Sequence, residues 1–280
     1  MTSKRYYQIL SSLLIGILVL ATVCVGSGIA LLVVKSTAKG DDTEETTAQS
    51  DTNADTDEPS LSVSVTMEQT ADYGMAYIDK MIFFGESTTS HLASRGVLSG
   101  GKDTLQVWSE ASGTRTLSSK ITSQIISTPA SVKGLTVIEA CKQEKPAYMV
   151  LSFGLNGIAQ FIKDRQSFLN AYSGLIQAIQ KASPDTRIIL QSVYPISESN
   201  NTFSVDGLTV NRYILTVNGW IEELAKTHEN TRYCDTASVL RNELNALIPA
   251  YDAGDGIHLT KEAYEAILLY LRTHGWQESK

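Results

Sequence analysis

Apolar and polar positions divide the 280-residue chain into three stretches of different character. Residues 9–34 are 26 consecutive positions without a charge. That is more than the roughly 20 a helix needs to cross a bilayer core. Residues 36–70 are rich in Thr, Ser, Asp and Glu and contain no aromatic residue. Such a segment buries too little apolar surface to offset the entropy of ordering, which predicts a disordered, solvated tether. From residue 71 onward the pattern alternates. Apolar runs at 81–84, 147–153 and 187–194 end in Gly85, Gly154 and Pro195, and runs buried on both faces suit parallel strands. Helical stretches occupy 136–144, 159–182, 213–227 and 261–272. In the last of these, Ala263, Ala266, Ile267, Tyr270 and Leu271 recur at helical spacing behind Thr260, an expected N-cap. Alternation of this kind predicts an α/β sandwich with a parallel sheet. The 210 residues from 71 to 280 suffice for one sizeable core.

Charge gives the first stretch a direction. Lys4 and Arg5 precede the apolar run, and Asp41, Asp42, Glu44 and Glu45 follow it beyond Lys35. The positive-inside rule then makes 1–8 a cytoplasmic N-terminus, 9–34 a transmembrane anchor, 35–70 the tether and 71–280 an extracytoplasmic domain. A cleaved signal peptide is the competing reading, with Ser36-Thr37-Ala38 as a loose cleavage site, but its apolar core should span only about 7 to 15 residues. Cys24 does not suit lipid attachment, because Val23 stands where a small residue is wanted and the apolar run continues past it.

Residues 36–60 hold one Lys against eight acidic residues, a net of −7, and residues 1–35 carry +3, so 61–280 carry −3 of the total −7. The acidity belongs to the tether and says little about a substrate. No basic patch stands out, so nucleic acid is not an expected partner. Cys141 and Cys234 read as buried thiols rather than a disulfide framework. No His or Cys cluster has metal-ligand spacing, and no metal or cofactor is expected.

Open parallel sheets bind ligands beyond the carboxyl ends of their strands, which directs attention to the residues after each apolar run. Gly85-Glu86-Ser87 follows the first. Either Ser87 presents its hydroxyl at the sheet rim, or Ser87 or Thr88 caps the next helix. Gly154-Leu155-Asn156-Gly157 follows the second; the Asn156 amide is either an oxyanion donor or part of an Asn-Gly turn. Before the last helix stands Asp255-Gly256-Ile257-His258-Leu259-Thr260. A carboxylate three residues ahead of an imidazole can bond one ring nitrogen and leave the other as a general base. Of four histidines, His228 and His274 end helical stretches, and His91 is near Ser87 but lacks an acidic neighbour. His258 is the best base.

In order and setting these three blocks resemble those of the SGNH hydrolases, also called GDSL esterases or lipases, over about residues 76 to 275. The resemblance implies a flavodoxin-like, three-layer α/β/α sandwich with a central parallel sheet, preceded here by one transmembrane helix. It implies Ser87 as nucleophile, His258 as base and Asp255 as its partner, with an oxyanion hole from the Ser87 N–H, Asn156 and one further glycine. Gly113, in Trp108-Ser109-Glu110-Ala111-Ser112-Gly113, is chosen for that last place over Gly100, Gly101 and Gly134. Two positions depart from the family pattern: Glu86 replaces an aspartate beside the nucleophile, and Gly157 replaces an acid after the asparagine.

The implied function is an extracytoplasmic, membrane-anchored serine esterase. Its expected partners are an acylated envelope carbohydrate or related ester, and the membrane through the N-terminal helix. An envelope O-acyltransferase using the same triad and a non-catalytic surface-binding module are the alternatives.

Overall fold

The computed structural model describes residues 64–110, 115–127, 133–201, 204–205 and 207–278. The three apolar runs become strands β1 (Met81–Gly85), β2 (Tyr148–Ser152) and β3 (Arg187–Gln191). A small antiparallel pair follows, β4 (Ser204–Val205) with β5 (Leu208–Thr209), and then β6 (Thr231–Cys234). Strands β1, β2, β3 and β6 lie in that order and pair in parallel, with Gly85 opposite Ser152 at the carboxyl ends.

Strands β1 and β2 and the centre of β3 are largely apolar because each serves two cores at once. Phe84, Met149, Leu151, Ile188, Leu190 and Tyr233 face one cluster. Their neighbours Phe83, Tyr148, Val150, Ile189 and Cys234 face another, as the period of two along a strand requires. Helix α1 (Met75–Ile78) and α2 (Ser87–Ser94) contribute Tyr77, Ile78 and Leu92 to the second cluster. Helices α3 (Val137–Glu144), α4 (Ile158–Phe161), α5 (Arg165–Ala182) and α6 (Val210–Thr227) line the first. Helix α7 (Lys261–Thr273) adds Ala263, Tyr264, Ile267, Leu268 and Leu271 to the second. The result is three layers, helices on both faces of a parallel sheet. Cys141 and Cys234 are buried free thiols, one in each cluster.

Two local details differ from the sequence pattern, and one agrees with it. The helical stretch at 159–182 is two helices, because Asp164 stops the first and its carboxylate caps the second by accepting the Ser167 N–H at 2.9 Å. Thr260 caps α7 as expected, accepting from the Ala263 N–H at 3.4 Å. Residues 64–70, grouped by composition with the tether, pack on the domain. Thr66 bridges Tyr233 in parallel, the Met67 N–H donates to the Tyr233 carbonyl at 2.8 Å, and the Met67 side chain is buried. A sheet edge supplies backbone partners that composition does not reveal. The expected anchor at 9–34 and the rest of the tether lie outside the described residues. Among the described residues no helix is long and apolar enough to cross a membrane.

The topology locates the crevice. Phe83 bridges Val107 in parallel on the far side of β1. Counting that segment, the chain crosses the sheet in the order second, first, third, fourth, fifth. The order reverses at β1, and ligands bind beyond the strand ends at such a switch point. Ser87 stands there.

Candidate active site

The turn after β1 is built by close approach rather than by a left-handed backbone. A Cβ on Gly85 would lie 2.4 Å from the Ser152 carbonyl oxygen and 2.2 Å from Thr89 Oγ1. Only glycine lets β1 and β2 end this close together. Glu86 is then the N-cap of α2 in an extended conformation, and Ser87 is its first helical residue. Ser87 is therefore not the capping side chain, and its N–H belongs to the first turn of a helix, where no intrahelical acceptor exists. Ser109 Oγ holds the turn from the other side, donating to the Gly85 carbonyl at 2.7 Å.

The loop before α7 is wound by two aspartates. Asp252 Oδ1 accepts from the N–H groups of Gly254 and Gly256, both at 2.8 Å. Asp255 Oδ1 accepts from Ile257 N–H at 2.9 Å and His258 N–H at 2.8 Å. Gly256 has φ +76, and a Cβ there would meet Ser197 Oγ and Asn200 Nδ2 at 2.4 Å. This tight turn brings Asp255 Oδ2 to 2.6 Å from His258 Nδ1, and His258 Nε2 to 3.1 Å from Ser87 Oγ.

Charge and tautomer follow from these contacts. Burial pushes the Asp255 carboxyl up, but the His258 ring and the His258 and Ile257 N–H groups outweigh it and hold the group below its ordinary value. An ionised carboxylate only accepts, so the His258 proton sits on Nδ1. Nε2 then carries the lone pair that can take the Ser87 proton. The arrangement can activate a hydroxyl for attack on a carbonyl.

Asn156 is set on the same rim by Glu86. The Glu86 side chain is 3% exposed, and its carboxylate accepts from Gly154 N–H at 3.0 Å, Leu155 N–H at 3.2 Å and Asn156 N–H at 3.0 Å. Burial pushes the Glu86 carboxyl up to about 7 against the pull of those three donors. The Asn156 amide donates to the Arg115 carbonyl at 2.9 Å. Arg115 is itself pinned, its buried guanidinium donating to Gln124 Oε1 and the Ile125 carbonyl and lying 5.3 Å from the centroid of the Phe84 ring. Gly113, the expected third oxyanion donor, lies outside the described residues.

The structure thus joins Ser87, His258 and Asp255 by direct contact and ties the Asn156 loop to the residue before Ser87. Three residues of this neighbourhood escape a sequence reading of roles. Glu86 reads there only as a departure from a pattern. Its signal is a carboxylate at the end of a fully apolar run, where burial demands backbone donors. Asp252 has the signal of an aspartate two residues ahead of a glycine. His91 has the signal of lying four residues after Ser87 on one helix face.

Glu86→Gln tests the anchoring. Glutamine offers one acceptor oxygen where the loop presents three N–H groups, and turns an NH2 toward them. Misplacement of Asn156, the expected oxyanion donor, predicts a kcat roughly 10²-fold lower with KM little changed. Steady-state hydrolysis of a soluble ester measures it, and an unchanged kcat would exclude the anchoring role.

His91 is half-buried, and burial, the neighbouring His258 and Arg95 push its imidazole down to about 4, with Asp255 opposing. The ordinary value is 6.5, so between about 4 and 6.5 the unfolded chain binds more protons at this residue than the folded one. The resulting stability is present above that window and is lost as pH falls through it. Thermal unfolding of His91→Phe is expected to fall less steeply than wild type between pH 6.5 and 4; parallel curves would contradict it.

Comparison with known proteins identifies a family. The model of the GDSL-like lipase/acylhydrolase family matches residues 83–266. No curated protein matches at the sequence level. A solved protein from Streptococcus pneumonia, described as a candidate platelet activating factor, is similar at 17% identity, with 69% of this chain and 82% of that chain covered and a TM-score of 0.48. Phospholipase A1 from Streptomyces albidoflavus is similar at 12% identity, covering 70% and 98%, with a TM-score of 0.45. A catalytic mutant of an acetylxylan esterase from Geobacillus stearothermophilus is similar at 17% identity, covering 76% and 98%, with a TM-score of 0.40. The assignment rests on the family model, which spans most of the sheet and both ends of the hydrogen-bonded chain from Ser87 to Asp255. The chain belongs to the GDSL-like lipase/acylhydrolase family and is a serine ester hydrolase.

Proposed function

We propose that this protein is a membrane-anchored, extracytoplasmic esterase that removes O-acyl groups, acetyl above all, from a cell-envelope carbohydrate. Ser87, His258 and Asp255 form its triad. The observation that carries the reading is the continuous chain of contacts from Asp255 through His258 to Ser87. The location rests on the 26-residue uncharged run and on the charges that flank it. A domain tethered outside a membrane reaches acylated polymers of its own envelope, which is the argument for the substrate class.

In this mechanism His258 Nε2 takes the Ser87 proton as Oγ attacks the ester carbonyl. The Ser87 N–H and the Asn156 amide receive the negative charge that develops on the carbonyl oxygen. His258 returns its proton to the departing sugar oxygen, leaving an acyl-Ser87. Water then attacks that acyl group, again giving up a proton to His258, and the acid leaves as Ser87 regains its hydrogen. Asp255 holds the imidazole in the required tautomer and opposes the charge it gains.

A fluorophosphonate probe with peptide mapping tests the triad, and acetate release from an O-acetylated polysaccharide tests the substrate class. Expected are labelling confined to Ser87, its loss in His258→Ala, and acetate release by the wild type alone. Absence of labelling in the folded wild type would sink the esterase reading. Labelling without acetate release from any acetylated glycan would sink only the substrate.

A further inference from the structure

Ser87 and His91 are one turn apart on α2, so their side chains share a helix face. The centroid of the His91 ring lies 4.5 Å from that of His258, with the two planes inclined by 40°. His91 Nδ1 is buried and has no hydrogen-bond partner among the described residues. A buried ring nitrogen left unbonded costs free energy, so this side chain is not kept for the hydrogen bond that nitrogen makes. The contact it makes with His258 is through its ring.

We propose that His91 is a positioning residue for the general base: its neutral ring packs against one face of the His258 imidazole and holds the plane that joins Asp255 to Ser87. This rests on the assignment of His258 as the base. Among the described residues the His258 ring is hydrogen-bonded at its two nitrogens, to Asp255 and Ser87, and the contact to Ser87 ends when the serine proton is transferred. A ring packed on its face supplies the missing restraint through the rest of the cycle.

The packing ring must carry no charge. His258 gains a proton during acylation, and a second cation in contact would repel it. The charged and titratable groups that act on His91 are Arg95 at the C-cap of its own helix, and Asp255 and His258 on the loop before α7. Burial leads these influences and keeps the ring neutral at neutral pH. A neutral aromatic surface is therefore the property that a substitute has to reproduce.

The test uses the full chain, p-nitrophenyl acetate as probe ester, and His91→Ala beside His91→Phe. Loss of the ring is expected to lower kcat roughly 10- to 100-fold through misplacement of the base, with KM within about twofold, because no group that binds the ester is removed. Phenylalanine restores the face without the nitrogens and is expected to recover most of kcat. A wild-type kcat in His91→Ala overturns the proposal. Equal losses in the alanine and phenylalanine variants overturn it as well, because they assign the effect to a nitrogen. Should the alanine variant fail to fold, His91→Leu fills the volume without a planar ring, and a kcat equal to that of His91→Phe would be the overturning result. Fluorophosphonate labelling of the wild type separates the two levels: an unlabelled Ser87 removes the base itself, whereas a labelled Ser87 with unaffected His91 variants removes only the positioning role.

Discussion

Ser87→Ala is expected to lower kcat for ester hydrolysis by roughly 10⁶-fold, the scale of removing a serine nucleophile from a triad, while leaving the domain folded. The fold is spared for local reasons. Ser87 is the first residue of α2, is half-buried, and its hydroxyl contacts His258 Nε2. The helix is capped and turned by neighbours, since the Glu86 carbonyl accepts from the Thr89 and Ser90 N–H groups and Ser109 Oγ bonds the Gly85 carbonyl. Alanine is a good helix former and removes no buried partner, so stability should change by less than about 0.5 kcal/mol. Turnover and thermal unfolding measured together decide the matter. Near-wild-type turnover in a folded Ser87→Ala protein would remove Ser87 from the chemistry.

His258→Ala and Asp255→Asn should both collapse activity, in a definite order. Deleting the imidazole removes the one group among the described residues that contacts the Ser87 hydroxyl and can take its proton, and a loss near 10⁶-fold in kcat is expected. Asp255→Asn keeps an oxygen for the Ile257 and His258 N–H groups, so the turn survives. Its NH2 then faces His258 Nδ1 and favours the tautomer with the proton on Nε2, which cannot accept from serine. A loss near 10⁴-fold is expected from the wrong tautomer. Stability should hardly change, because the pair is 28% and 54% exposed and one such hydrogen bond contributes about 1 kcal/mol. Steady-state kinetics on both variants with a thermal scan provide the check. An Asp255→Asn enzyme as active as wild type would show that the tautomer is set by something other than this carboxylate.

The strands were legible because each apolar run is short, unbroken and ended by a glycine or proline. Residues 81–85, 148–152 and 187–191 fall inside or beside the runs at 81–84, 147–153 and 187–194. The late helices were legible from their period and from Thr260. Helix α2 was harder, since Ser87, Thr88, Thr89 and Ser90 carry little apolar pattern, and its position depends on Leu92 packing into the second cluster. The break at Asp164 is not legible in the apolar period, whereas its carboxylate needs only the Ser167 N–H to start a new helix.

Among the candidate site residues, Ser87, Asn156, Asp255 and His258 are legible in the sequence because each follows a strand or precedes a helix at a recognisable spacing. What they contact could not. The carboxylate of Glu86 meets backbone donors 68 to 70 positions away, and Ser87 meets His258 across 171. Sequence periodicity reports which face of an element is buried, because that preference is local and repeats every 2 or 3.6 residues. It carries no record of which two elements then lie side by side.

Residue order and local chemistry alone therefore account for the parallel α/β architecture, the candidate nucleophile and base, and the Asp255-to-His258 turn. Packing of distant segments accounts for the rest: the Glu86 carboxylate under the Asn156 loop, the His91 ring beside His258, residues 65–67 along β6, and glycine at 85 for closeness to Ser152. Those contacts exist only once the sheet has brought its strand ends together, since each satisfies a buried polar group or fills a space that the unfolded chain does not have.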